Sequence, residues 1–402
     1  MPISLSTLLP ITISIVTVWT IITPAVIAQI IPDSSLGNES SVVSPNVNIR
    51  GLNSDQIDGG AVRGNNLFHS FQEFNVEVER GVYFSNPDGI VNILTRVTGE
   101  NLSQILGTLG VLGNANLFLI NPNGIVFGAN ARLDVGGSFF ATTAESLRFE
   151  NGFNYSSTNP QTPPLLTINI PIGLNFRNNS GAIINQSVAV DGEENPVGLQ
   201  IQPGNTLAFI GNKINLEGGI ITAPGGRVEL GAISGEGTVE INPNFPLNLI
   251  YPNNTIRGDI TFSNAAKVDV VTTDGRGTIA VNANNISLFQ DSILEAGIAP
   301  DSDAVNPQGG NIELDATGTI ILAENSQINN RLGIRSRGTA GDIVITTRSL
   351  NLSNGGRLNS SKQGIGTGGN IIVNARDNIS LGGAGSDGSF SGIFSEWRTS
   401  YN

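Results

Sequence analysis

Four segments of the chain open on the same pattern. They are Gly277-Thr-Ile-Ala-Val281, Gly310-Asn-Ile-Glu-Leu314, Gly341-Asp-Ile-Val-Ile345 and Gly369-Asn-Ile-Ile-Val373, spaced 33, 31 and 28 residues apart. Self-similarity at this period marks a solenoid, in which one unit cannot bury its apolar face alone and stacks on its neighbours instead. Between Asn311 and Gly333 the unit contains three alternating runs, Ile312-Glu-Leu314, Ile320-Ile-Leu322 and Gln327-Ile328. Three short strands per turn, with every second residue inward, make one coil of a parallel β-helix, each coil about 4.8 Å from the next. The Leu-x-x-Leu-x-Leu signature of a leucine-rich repeat is missing, and an antiparallel sandwich does not require this period.

The preceding stretch uses the same grammar less regularly, as in Asn212–Thr222, Pro224–Gly231 and Gly237–Ile241. From Val42 to Phe149, apolar runs of a few residues alternate with Asn-, Gly- and Asp-rich turns, as expected of strands. Ala144–Phe149 reads as one short helical turn, and residues 151–164 as a loop or an excursion from the main stack. Charged residues make up 13% of the 402 residues, glycines number 50 and there is no cysteine. Disulfides, thiol catalysis and thiolate metal sites are thereby excluded. Net charge is −13 with 20 Lys and Arg in no cluster, which argues against nucleic acid as a partner, since phosphate neutralisation needs concentrated cations.

A second feature lies at Leu117–Phe127, where one apolar run stops at Asn121-Pro122-Asn123-Gly124 and another resumes at Ile125. Pro at the second position of a tight turn, Asn at the first and third and Gly at the fourth predict strand, turn, strand. Asn121-Pro122-Asn123-Gly124-Ile125 resembles the NPNGI motif of the secretion domain of filamentous-haemagglutinin-like exoproteins, the cargo of two-partner secretion. Its surroundings agree: Phe74-Asn75-Val76, Gly81–Ile90, Ile93–Gly99 and Leu133–Gly137. The family's NPNL motif falls at Asn86-Pro87-Asp88-Gly89, where only Asn86 and Pro87 match. The likeness covers roughly residues 40–265, with a looser repeat-level likeness beyond.

The resemblance implies a right-handed parallel β-helix with N-terminal capping strands over residues 29–265, continued as a repeat stalk over 266–402. It implies passage, unfolded, through an outer-membrane β-barrel transporter whose periplasmic domains recognise Asn86, Pro87, Asn121, Pro122, Asn123, Gly124 and Ile125. The product is then a secreted or surface adhesin with an unidentified protein or carbohydrate target, and not an enzyme. Residues 1–28 carry no charged side chain and are almost wholly apolar from Leu8 to Ala28, and Val26-Ile27-Ala28 fits a signal-peptidase site. They are read as a signal peptide, the alternative being a retained membrane anchor. No cap closes the repeats before Asn402; either Trp397 folds over the end or the chain is a truncated form of a longer exoprotein.

The remaining patterns carry bland readings. Gly364–Gly369 has the letters of a dinucleotide loop but is followed by a strand instead of a helix. Gly382–Phe390 resembles a single calcium-binding nonapeptide and reads as a Gly-rich turn. Arg257-Gly258-Asp259 enters a strand at Ile260–Phe262. His69, the sole histidine, is read as packed, and neither a metal nor any other cofactor is expected. The Asn-x-Ser/Thr sequons at Asn101, Asn285, Asn351 and Asn378 are what Asn- and Ser-rich turns produce by chance. Two other classes remain: a passive structural surface protein, and a polysaccharide hydrolase or lyase. The latter needs carboxylates aligned on adjacent coils, whereas Asp269, Asp274, Asp291, Asp301 and Asp303 are scattered in the sequence and Glu193-Glu194 lies in a loop.

Overall fold

The computed structural model describes residues 30–165, 171–242 and 248–397. Residues 1–28, read above as a signal peptide, lie outside them. The chain winds as a parallel β-helix of three faces. The first face carries, in order, Asn92–Val97, Asn116–Ile120, Phe139–Thr142, Thr206–Gly211, Arg227–Ala232, Thr278–Ala283, Ile312–Ala316 and the first half of Ile343–Ser353, each pairing in parallel with the next. The second face runs from Ser103–Ile105 through Ile125–Phe127 and Ala182–Asn185 to Thr319–Leu322. The third begins at Gly81–Ser85 and ends at Gly392–Trp397. Each coil takes them in the order third, first, second, so the predicted strands of Asn311–Gly333 occupy one turn of the helix.

Register makes the core. Leu67, Ile93, Leu117, Phe139, Leu207, Val228, Ile279, Ile312 and Ile343 stand one above another on the first face, and all are buried. On the second face the stack Ile105, Phe127, Leu216, Phe262, Leu288 and Leu322 is interrupted once by buried Asn185. Its amide is satisfied inside the coil by the Ser187 N–H at 3.0 Å and the Ile220 carbonyl at 3.2 Å. At the entry to the first face, Asn66, Asn92 and Asn116 form an amide ladder with bonds of 3.0 and 2.9 Å.

The N-terminal end is covered by antiparallel strands. Ile30–Pro32 and Ala61–Arg63 both pair with Asn66–Phe74, and the hairpin Ser41–Ile49 with Leu52–Gly59 extends the third face. The capping strands are therefore present. Expectation fails at Ala144–Phe149, where the helical turn is instead the strand Ser146–Arg148; residues 151–164 are an excursion from the main stack, as one of the two readings had it, and contain the strand Asn154–Ser156. Both belong to an antiparallel sheet with Gly173–Phe176, Gly237–Asn242 and Asn248–Ile250. That sheet lays Leu147, Phe149, Tyr155, Leu174, Phe176, Val239 and Ile241 over the outward row Phe68, Leu94, Phe118, Phe140, Ala208. The first face is thus apolar on both sides, which is why Leu117–Ile120 reads as a continuous apolar run.

His69 points into the core and is fully buried, its Nδ1 2.9 Å from the Ser41 hydroxyl. Burial pushes its pKa down to about 3, against a small opposing pull from Asp58. The unfolded chain protonates near pH 6.5 and the folded one only near 3, so stability is lost as pH falls below about 6.5. The expected loss is about 1.4 kcal/mol per pH unit from this residue. Denaturant titrations at pH 5.5 and 4.5, wild type against His69→Gln, should show that extra slope in the wild type only.

Candidate transporter-recognition site

Asn121–Ile125 forms the corner between the first and second faces. The Gly124 N–H donates to the Asn121 carbonyl at 3.1 Å, and the Asn123 N–H donates to Asn121 Oδ1 at 3.0 Å. This is a tight turn with an Asx cap at its first residue. Gly124 sits at φ +126°, in a region open to glycine. Asn121, Pro122, Gly124 and Ile125 are buried, and Asn123 is half-buried.

The corner is fastened to both neighbouring coils. Below, Asn121 Nδ2 donates to the Asn101 carbonyl and to Ser103 Oγ, each at 3.0 Å, and Asn123 Nδ2 donates to the Gly99 carbonyl at 2.8 Å. Above, the Asn121 N–H donates to the Thr142 carbonyl at 3.0 Å and the Gly181 N–H to the Pro122 carbonyl at 2.7 Å. A Cβ on Gly181 would overlap the Asn123 carbonyl, so that neighbour must be glycine for the coils to close at this height.

Asn86–Gly89 is placed differently, at the corner between the third and first faces. The Ile90 N–H donates to the Pro87 carbonyl at 3.2 Å and Gly89 takes φ +82°, the residue a type II turn needs at its third position. Asn86 supports the loop through bonds from Nδ2 to the Ile90 carbonyl (3.1 Å) and from the Ala115 N–H to its Oδ1 (3.0 Å). Pro87, Asp88 and Gly89 are exposed. The two motifs therefore occupy different corners, one buried and one open.

Beside the buried corner lies a polar network that the sequence reading did not single out. Arg96 is fully buried; its Nε donates to Ser70 Oγ at 2.9 Å and its Nη2 to Ser35 Oγ at 2.8 Å, and its guanidinium lies 4.3 Å over the Tyr155 ring. Ser70 and Thr98 donate to Asp33 Oδ2 at 2.7 and 2.6 Å, and Ser35 donates to Oδ1 at 2.5 Å. Tyr155 closes the ring by donating to the His69 carbonyl at 2.5 Å. Desolvation raises the Asp33 pKa, but these hydroxyl donors outweigh it and hold the carboxyl below its ordinary range. The network ties the capping segment, two coils and the outer sheet together.

The TPS secretion domain family matches residues 28–270, more than half of the 402-residue chain. The chain belongs to that family. This secretion domain is the N-terminal part of a two-partner secretion exoprotein; domains of the family are recognised by an outer-membrane transporter, and their exoproteins are secreted across that membrane. The secretion domain is similar to two Haemophilus influenzae proteins called heme/hemopexin-binding protein, at 39% identity over 83 residues (20% of this chain) and 34% over 89 residues (22%). The matched part spans 9% of the length of each relative. The fold is similar to the HMW1 secretion domain of Haemophilus influenzae, with TM-score 0.57 and 20% identity over 86% of this chain and 84% of that one. A filamentous hemagglutinin secretion domain matches with TM-score 0.39 and 15% identity, over 91% and 99% of the two chains.

Around the secretion domain the other candidates fall to structural roles. Arg257 bonds Asp315 at 3.0 Å and stacks 5.3 Å from Tyr251, while Asp259 Oδ1 accepts from Asn284 and Asn285. Asp387 caps its own turn through the Ser389 N–H at 2.8 Å. Asp269 and Glu295, far apart in sequence, come into register on the third face. Lys267 bridges them at 2.7 and 3.2 Å and Arg331 pairs with Glu295, so these carboxylates form an ion-pair network. Glu229 is buried beneath Tyr251; burial pushes its pKa up to about 7 against the pull of Arg227. These positions were scattered in the sequence because coil length, not local spacing, brings them together.

Proposed function

We propose that the chain is cargo read by its transporter before it folds. Residues 1–28 direct export across the inner membrane, and periplasmic domains of the outer-membrane transporter then recognise Asn86, Pro87 and Asn121–Ile125. Domains 29–265 and 266–402 fold coil on coil outside, giving a surface or released adhesin. The observation that carries this reading is burial: Asn121 is 0% exposed, so its side chain can meet a partner only while the corner is unformed. The open Pro87–Gly89 turn is the part accessible in either state. Absence of cysteine suits the same route, because no disulfide can lock the chain before transit.

The haem or hemopexin binding named for the relatives is not carried over, because the matched part spans only 9% of the length of each. The test is secretion of the full chain in a double-membrane host, with and without a cognate transporter. Transporter-dependent appearance in the medium supports the cargo reading. Equal release without the transporter would leave a passive surface β-helix.

A further inference from the structure

On the third face of the last coils, alternate side chains point outward from Gln327–Leu332, Arg357–Lys362 and Gly392–Trp397. They enclose a cavity of about 200 Å³ lined by Gln327, Asn329, Arg331, Arg357, Asn359 and Phe394, among others. Register aligns Asn329, Asn359 and Phe394 in one row and places Gln327 beside Arg357 in the next. Three strands at about 4.8 Å spacing make a lining roughly 10 Å long, the length of one six-membered sugar ring with its substituents.

The lining carries two guanidiniums, Arg331 and Arg357, four side-chain amides and one carboxylate, Glu396. Asn359 Nδ2 donates to Asn329 Oδ1 at 2.7 Å and to Gln327 Oε1 at 3.3 Å. Those bonds use the acceptors of both amides and turn their NH₂ groups away from each other. Arg357 Nε is buried with no partner among the described residues, and Arg357 Nη2 reaches only Asp387, at 3.4 Å. Phe394 supplies a flat apolar wall, its ring folded over Gly392. A guanidinium, amide donors and one aromatic face fit a ring that carries a carboxylate, several hydroxyls and an apolar C–H face.

We propose that this groove binds a hexuronate unit, with Arg357 meeting the carboxylate, Gln327 and Asn329 the hydroxyls, and Phe394 the ring face. This goes beyond the secretion reading, and its test on purified full-length protein does not depend on secretion. Titrations with glucuronate and galacturonate, followed by ligand-observed NMR, are compared with glucose and galactose. At least one uronate should bind tenfold or more tightly than its neutral hexose. Arg357→Gln should erase that preference and Phe394→Ala should weaken both ligands. Asn329→Asp, a near-isosteric change that keeps the fold if Arg357→Gln loosens the last coil, should lower uronate affinity about tenfold and spare the hexoses. Absence of uronate binding, equal binding of uronate and hexose, or binding untouched by these variants overturns the proposal.

Discussion

Asn121→Ala is expected to destabilise the folded secretion domain by about 3–4 kcal/mol, because it strips three bonds made by a fully buried side chain. The lost partners are the Asn101 carbonyl, Ser103 Oγ and the Asn123 N–H. Each buried group left unpaired costs roughly 1–3 kcal/mol, and partial relaxation of the turn keeps the sum below the upper limit. Ser103→Ala removes only one of these bonds and should cost about 1 kcal/mol. Denaturant unfolding of the two variants measures the difference. The pair also separates folding from recognition in a secretion assay. Ser103→Ala leaves Asn121–Ile125 intact and should be exported normally, whereas Asn121→Ala with Asn123→Ala should be exported poorly even when refolding is slow in both.

Arg96→Ala should be as damaging or more so, at about 3–5 kcal/mol, because two hydrogen bonds from a charged group are lost at roughly 1.5–3 kcal/mol each. The substitution deletes two charge-assisted bonds and the stacking on Tyr155, while Asp33 keeps its hydroxyl donors and the Ser35 N–H. Arg96→Lys keeps the charge but not the planar fork that reaches Ser35 and Ser70 together, so an intermediate loss is expected. If both variants unfold at the wild-type midpoint, the network does not hold the cap to the coils.

Much of the solenoid was legible. The runs at Ile279, Ile312 and Ile343 alternate cleanly because only one side of those strands faces the core. The outer sheet was hidden for the opposite reason. Ser146–Arg148 and Asn154–Ser156 have three residues each, too few to show a period, and their partner strands arrive from the distant segments 173–176 and 237–242. The Asn121 turn could be read locally from its Pro and Gly. Its burial could not, since the closing contacts come from Asn101, 20 residues earlier, and from Gly181 in the next coil. Arg96 stood in the sequence only as part of a matching context; its partner Ser35 lies 61 residues away.

The most direct test of recognition before folding is capture of the full chain by the isolated periplasmic domains of its transporter. The chain is presented either folded or freshly diluted from urea. Strong capture of the unfolded chain, weak capture of the folded one and loss of the difference in Asn121→Ala with Asn123→Ala is the predicted result. Equal capture of both states, unaffected by the substitutions, would contradict it and leave the buried corner as a purely structural turn.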